Sequence, residues 1–171
     1  MINRISYCKI YLLATLLLII SGCHIYSFTG ASIAPDIKTV SIQYFPNNAP
    51  LIQPNLSQIF TEKLKDKFVS QTSLSLINKN GDLNFEGSIT NYTIQPVAIQ
   101  ANNIAAQNRL TITVNVKFTN KKSEKQNFES SFTRFSQYES SQSFTSVEDA
   151  LIKDVTDQLV GDVFNKAVVN W

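Results

Sequence analysis

Arg109-Leu110-Thr111-Ile112-Thr113-Val114-Asn115-Val116-Lys117-Phe118-Thr119 decides what kind of fold this chain adopts. Leu110, Ile112, Val114, Val116 and Phe118 point one way, and Thr111, Thr113, Asn115, Lys117 and Thr119 point the other. Such alternation is the signature of a β-strand with one face buried and one face wet. A sheet patterned this way needs apolar cover on one side only, so the fold class depends on what else in the chain supplies that cover.

C-terminal to this strand, Asn120 to Gln126 reads as a polar, basic turn, and Phe128 to Tyr138 pairs back with Phe128 and Phe132 on one face. After a polar loop, Ser146 is expected to cap a helix that runs to the C-terminus. Glu148 and Asp149 lie in its first turn, where the helix dipole favours them, and Val147, Leu151, Val155, Leu159, Phe164, Ala167 and Val168 form its apolar stripe. Gly161 is the weak point of that helix.

N-terminal to the strand, Ile94 to Asn108 is rich in Gln, Asn and Ala and reads as a long connection. Leu83, Phe85, Gly87 and Ile89 alternate against polar residues as another strand, which follows a turn at Asn80-Gly81. Leu74 to Ile77 is a short strand. Asn55 to Gln71 is a helix with Leu56, Ile59, Phe60, Leu64 and Phe68 on one side and charges on the other. Ile37 to Phe45 is the first strand, with Val40, Ile42 and Tyr44 on one face and Pro46 and Pro50 behind it. The order predicts an α+β, two-layer sandwich: two helices packed on one face of a mostly antiparallel four- to five-stranded sheet. The first strand, first helix and second strand form a right-handed crossover if both strands share the sheet.

Residues 1–22 read as a lipoprotein signal peptide. Arg4 and Lys9 give a basic start, Ile10 to Ile20 an apolar core too short to span a bilayer, and Ile20-Ser21-Gly22-Cys23 a lipobox. The small Ser21 and Gly22 let the backbone lie extended in a peptidase groove, and the Cys23 thiol takes the acyl-bearing group. Residues 23–35 are then a lipidated N-terminus and tether, on which Tyr26 and Phe28 are expected to dock against the domain, and residues 36–171 are a single domain.

Lys and Arg number 15 against 13 Asp and Glu, but Arg4 and Lys9 leave with the leader and no acidic residue goes with them. The mature chain is near neutral, and a nucleic-acid binder would carry a basic excess. The two cysteines are Cys8, inside the leader, and Cys23, so the domain holds together without a disulfide.

Few residues here suit covalent chemistry. His24 is the single histidine and sits beside the anchor, which argues against a histidine-based triad or zinc site. No nucleophile elbow, Walker loop or dinucleotide fingerprint is present. Asp154 and Asp157 share a helix face, an arrangement that belongs to a solvated surface more often than to a metal. Lys117, Lys121, Lys122 and Lys125 gather near one hairpin tip, and Arg109 and Arg134 lie on the same strand pair. These six are candidates to meet the phosphates of a lipid headgroup or a glycan; the plain alternative is a polar turn and a charged edge that resists aggregation.

A set of stretches in a fixed order carries a resemblance. Tyr26-Ser27-Phe28-Thr29-Gly30-Ala31-Ser32 leads into Lys38-Thr39-Val40-Ser41-Ile42-Gln43-Tyr44-Phe45-Pro46-Asn47-Asn48-Ala49-Pro50. Asn80-Gly81-Asp82-Leu83-Asn84-Phe85-Glu86-Gly87, Arg109 to Val114, Ser146-Val147-Glu148-Asp149 and Asn170-Trp171 follow. Together, over essentially the whole chain, they resemble the lipopolysaccharide-assembly outer-membrane lipoprotein family, LptE, in a divergent branch of it. The resemblance implies two helices on a mostly antiparallel sheet, no covalent chemistry and no cofactor. It implies an outer-membrane protein that plugs and helps assemble an LptD-like β-barrel translocon, which delivers lipopolysaccharide to the outer leaflet. No short motif carries the family's ligand contacts over to this chain. The expected barrel contact is instead the wet face of the deciding strand, Thr111, Thr113 and Asn115, with the loop Gln100 to Asn108. His24 follows Cys23 where an aspartate would favour the inner membrane, and no acidic run follows, so the periplasmic side of the outer membrane is expected. The rival from another class is a lipidated periplasmic pilot or scaffold for a different outer-membrane secretion channel. An anchored hydrolase is disfavoured.

Overall fold

The computed structural model describes residues 33–97 and 107–168. Its elements are β1 (Thr39–Ile42), α1 (Leu56–Gln71), β2 (Ser75–Ile77), β3 (Leu83–Val97), β4 (Gln107–Asn120), a 3-10 turn (Glu124–Gln126), β5 (Phe128–Glu139) and α2 (Phe144–Val168). The strands form one sheet in the order β2-β1-β3-β4-β5. β1 runs parallel to both β2 and β3, while β3, β4 and β5 are antiparallel neighbours. The fold is α+β, with both helices on one face of a five-stranded, mostly antiparallel sheet. β1 and β2 share that sheet across α1, as the crossover requires.

β4 behaves as its pattern dictates. Leu110, Ile112, Val114, Val116 and Phe118 are all buried, and no residue between them is. The cover comes from Leu64 and Phe68 of α1 and Val155, Leu159 and Val163 of α2. An aromatic chain stitches these layers: Phe68 packs on Phe85 at 4.8 Å, Phe85 on Phe118 at 4.9 Å and Phe118 on Phe128 at 5.1 Å. Phe68 also meets Phe164 at 5.0 Å, so the two helices share the same ring cluster. Ring pairs at such spacings add about 0.5–1.5 kcal/mol each beyond their buried area. An ion pair between Lys63 and Asp157 joins the helices at the surface.

The structure corrects four readings of the sequence. β3 continues to Val97 and β4 begins at Gln107, so Ile94 to Asn108 is not one long connection. A bulge between Ile89 and Asn91 explains the error. It shifts the phase so that Ile89 and Tyr92, three apart, are both buried, which breaks the period-two pattern. β1 ends at Ile42, short of the expected Phe45. Tyr44, expected inward, is 61% exposed, and Phe45 is buried instead. The chain turns there because Phe45 lies over Gly87, where its ring would stand only 2.6 Å from an added Cβ. Ser146 is not the cap of the last helix: α2 begins at Phe144, and the Ser146 hydroxyl donates to the Ser143 carbonyl at 2.6 Å. The start of α1 falls where Pro54-Asn55 placed it, but the side chain that serves it is Gln53, whose Oε1 accepts from the Asn55 and Leu56 N–H groups. Cys23, the leader, Tyr26, Phe28 and all but Gln107 and Asn108 of the expected contact loop Gln100 to Asn108 lie outside the described residues.

Asp82 fastens β1 to the turn before β3. Its carboxylate accepts from the Lys38 N–H at 3.0 Å, the Thr39 N–H at 3.0 Å and the Thr39 hydroxyl at 2.8 Å. The Lys38 backbone bond first, then the Thr39 hydroxyl and backbone bonds, hold its pKa below the ordinary carboxylate value. A depressed folded-state pKa contributes stability that is present above the unfolded value and lost as pH falls through the folded one. Asp82→Asn is therefore expected to melt below the parent at neutral pH. The gap should narrow as the buffer is taken below about pH 4, the ordinary carboxylate range. Melting curves over a pH series check this; a gap that does not change with pH would contradict it.

Candidate functional site

The sheet has one face closed by helices and one face open. On the open face β4 presents Arg109, Thr111, Thr113, Asn115, Lys117 and Thr119, between Glu86, Ser88 and Thr93 of β3 and Glu129, Ser131 and Thr133 of β5. Thr111, Thr113 and Asn115 are half-buried by their neighbours, so they are shaped by the sheet and still reachable. The Thr113 and Thr133 hydroxyls hydrogen-bond at 2.9 Å, and the Asn115 amide donates to Glu129 at 3.3 Å. These cross-strand pairs hold donors and acceptors in fixed positions.

The six candidate cations do not form one cluster. Lys121, Lys122 and Lys125 sit at the tip between β4 and β5. Lys121 donates to the Asn80 carbonyl at 2.7 Å, and Lys122 lies 3.9 Å from Asp82. Lys117 is on the open face, opposite Glu86 on one side and Glu129 on the other. Arg109 is at the far end of the same strand, stacked 4.1 Å above the Phe135 ring. Arg134 pairs with Ile112 and so faces the helices, where Asp162 accepts from it at 2.5 and 2.7 Å.

Phe135 is the residue that sequence reasoning missed on this face. It is 47% exposed among polar neighbours, with Arg109 over its ring. Parity could have found it: Phe128 and Phe132 are even and face the helices, whereas Phe135 is odd and shares the face of Thr133.

The tip is also where the described chain begins. Ile33, Ala34 and Pro35 share a cleft of about 220 Å³ with Asn120, Gln126 and Ala167. Ile33 is packed against the core. At the opposite end, the Tyr92 hydroxyl donates to Glu148 at 2.8 Å and ties β3 to the first turns of α2. Burial first, and that bond second, push the Tyr92 pKa up, so the phenol keeps its proton. No group of three or more His, Cys, Asp and Glu able to hold a metal exists among the described residues. No helix among them is long and apolar enough to cross a membrane.

A two-helix layer on one face of a sheet whose other face is open defines a class of small α+β domains. The family follows from the sequence: LptE, described as lipopolysaccharide-assembly, matches residues 37–167. The chain belongs to the LptE family. Two solved structures share the fold at low identity, and a third is similar to the chain. The Chlamydia trachomatis protein CT253 is 11% identical with a TM-score of 0.52, covering 78% of this chain and 99% of its own. Protein XCC0632 from Xanthomonas campestris is 11% identical with a TM-score of 0.50, covering 78% and 87%. A minor lipoprotein from Acinetobacter baumannii is 16% identical with a TM-score of 0.48, covering 72% and 91%. No curated protein matches the chain significantly.

Proposed function

We propose that this domain is an outer-membrane lipoprotein, lipidated at Cys23, that plugs and helps assemble a β-barrel lipopolysaccharide translocon of the LptD kind. The observation that carries the reading is the open sheet face, polar across β3, β4 and β5 apart from Phe135 beneath Arg109, while the other face is closed by helices. A barrel lumen is polar, so a plug meets it with hydrogen-bonding side chains rather than an apolar patch. Thr111, Thr113 and Asn115 are the proposed contact. The Thr113–Thr133 and Asn115–Glu129 pairs already order those side chains, which reduces the entropy lost on docking. Membership of a lipopolysaccharide-assembly family supports this choice of partner.

On this reading the acyl chains on Cys23 hold the domain at the periplasmic side of the outer membrane, each buried methylene contributing about 0.8 kcal/mol. The chain from Cys23 to Ile33 reaches at most about 35 Å. Ile33 shares its cleft with Asn120 and Gln126, so the tip carrying Lys121, Lys122 and Lys125 stays near the anchor. Those lysines, and Lys117 on the open face, are the proposed partners of glycolipid phosphates; Arg109 and Arg134 are further cations along the same hairpin. The role requires no covalent step and no cofactor.

Depletion tests the reading. Cells losing the protein are expected to show less surface lipopolysaccharide and to accumulate the barrel misassembled. Normal barrel assembly together with normal surface lipopolysaccharide would overturn it in favour of a pilot for another channel.

A further inference from the structure

The cleft of about 220 Å³ at the tip of the sheet has two kinds of wall. Ile33, Ala34, Pro35 and Ile37 of the incoming chain, Leu83 of β3 and Ala167 of α2 make it apolar. The amides of Asn120 and Gln126 give it a polar rim. Both walls are held in place. The Asn120 amide donates to Gln126 at 2.6 Å, and its oxygen accepts from the Lys122 and Ser123 N–H groups at 2.8 and 3.2 Å. Opposite, the Ala34 carbonyl accepts from the Ile37 N–H at 3.0 Å. The cleft is therefore built, yet Ala34 and Pro35 remain exposed in it. An indole matches such walls, with a large apolar body and a single N–H. A cavity of about 150 Å³ suffices for benzene, so this cleft has room for the larger ring.

We propose that the indole of Trp171 fills this cleft, its rings against Ala34, Pro35 and Ala167 and its N–H at the amide rim. Val169-Asn170-Trp171 follow Val168, the last described residue. Three residues reach at most about 10 Å, and Ala167 is already part of the wall. Trp171 also stands four residues beyond Ala167, the spacing that puts two side chains on one helix face. Helical side chains lean back over the preceding turn, so a further turn of α2 aims the indole at the cleft. Tyr26 and Phe28 are the rival occupants, seven and five residues before Ile33. They would have to double back on the chain and close a longer loop than the three residues after Val168. With Trp171 in place, the root of the tether at 33–35 is bolted to the end of α2, and the chain leaves the domain in one direction. This inference concerns the end of the domain and does not depend on the role proposed for its open face.

The test reads the fluorescence of the full chain, purified from membranes in detergent. Trp171 is its single tryptophan, so every change belongs to that side chain. In the folded parent the emission is expected to lie to the blue of the chain unfolded in guanidinium, with severalfold weaker quenching by acrylamide. Ala34→Asp and Pro35→Asp each put a hydrated charge in the cleft wall. Both positions are exposed, so the fold should stand, which melting curves check. Each should move the emission to the red and raise quenching toward the unfolded value, whereas Tyr26→Ala with Phe28→Ala should leave both unchanged. Independently, a photoreactive residue in place of Trp171 should crosslink within the chain to peptides holding 33–35 or 120–126. The proposal is overturned if Trp171 is as quenchable folded as unfolded, or if its shielding survives both wall substitutions, since the micelle then covers it. Shielding lost in the Tyr26, Phe28 double variant assigns the cover to the tether and overturns it too, as do crosslinks that form only elsewhere.

Discussion

Val114→Asp is expected to remove several kcal/mol of stability and to melt far below the parent. Val114 is 0% exposed, in the middle of β4, flanked on its face by Ile112 and Val116 and beneath both helices. An aspartate there has no cationic partner among the buried residues, so it must be desolvated or protonated at a cost of about 3–5 kcal/mol. A domain of this size has a total stability of about 5–15 kcal/mol, so that loss takes a large part of it. Thr113→Asp, one residue away on the open face, should cost only about 1 kcal/mol, from the lost Thr133 bond and the weaker strand preference of aspartate, because the carboxylate remains hydrated. Denaturant unfolding of the pair reads the difference. Equal stabilities would mean that β4 does not have a buried and a wet face.

Gly87→Ala should be nearly as damaging, for a steric reason. Gly87 faces Val116 across the β3–β4 ladder. A Cβ at this position would lie 2.0 Å from the Asn115 carbonyl oxygen and 2.6 Å from the Phe45 ring. The first neighbour is strand backbone and cannot swing aside, so either β4 moves or Phe45 leaves its pocket. Overpacking of this kind costs about 1–3 kcal/mol or more. Gly161→Ala is the contrasting change: nothing lies within 4 Å of its added Cβ, and alanine favours the helix. It should raise the melting temperature while Gly87→Ala lowers it.

The parts of the fold that could be read from the sequence were those where one simple period runs unbroken. β4 and α1 are cases: each keeps its phase from end to end, and each was placed to within a residue or two. β3 was truncated because its bulge swaps faces at Asn91, and a two-residue period cannot register an extra residue whose only mark is a lost alternation. Tyr44 and Phe45 exchanged places for a related reason. Once β1 ends, the ring that turns inward is chosen by the gap above Gly87, which is a tertiary contact. The open face was legible through the polar residues of β4. Its aromatic, Phe135, was left unplaced because only Phe128 and Phe132 were assigned to a face of β5, and the odd position of Phe135 puts it on the other. The basic residues looked like one group because they are close in sequence or on paired strands. Pairing parity separates Arg134 from Arg109, on opposite faces, and the length of β4 separates Arg109 from the lysines at the tip.

The open face is proposed to meet a barrel wall. Site-specific photo-crosslinking in living cells tests it most directly, with the photoreactive residue at Thr113 and, for comparison, at Lys153 on the exposed side of α2. An adduct from Thr113 that contains the β-barrel lipopolysaccharide translocon is expected. Adducts with that barrel from Lys153 and none from Thr113, or adducts from Thr113 that contain no barrel protein, would contradict it.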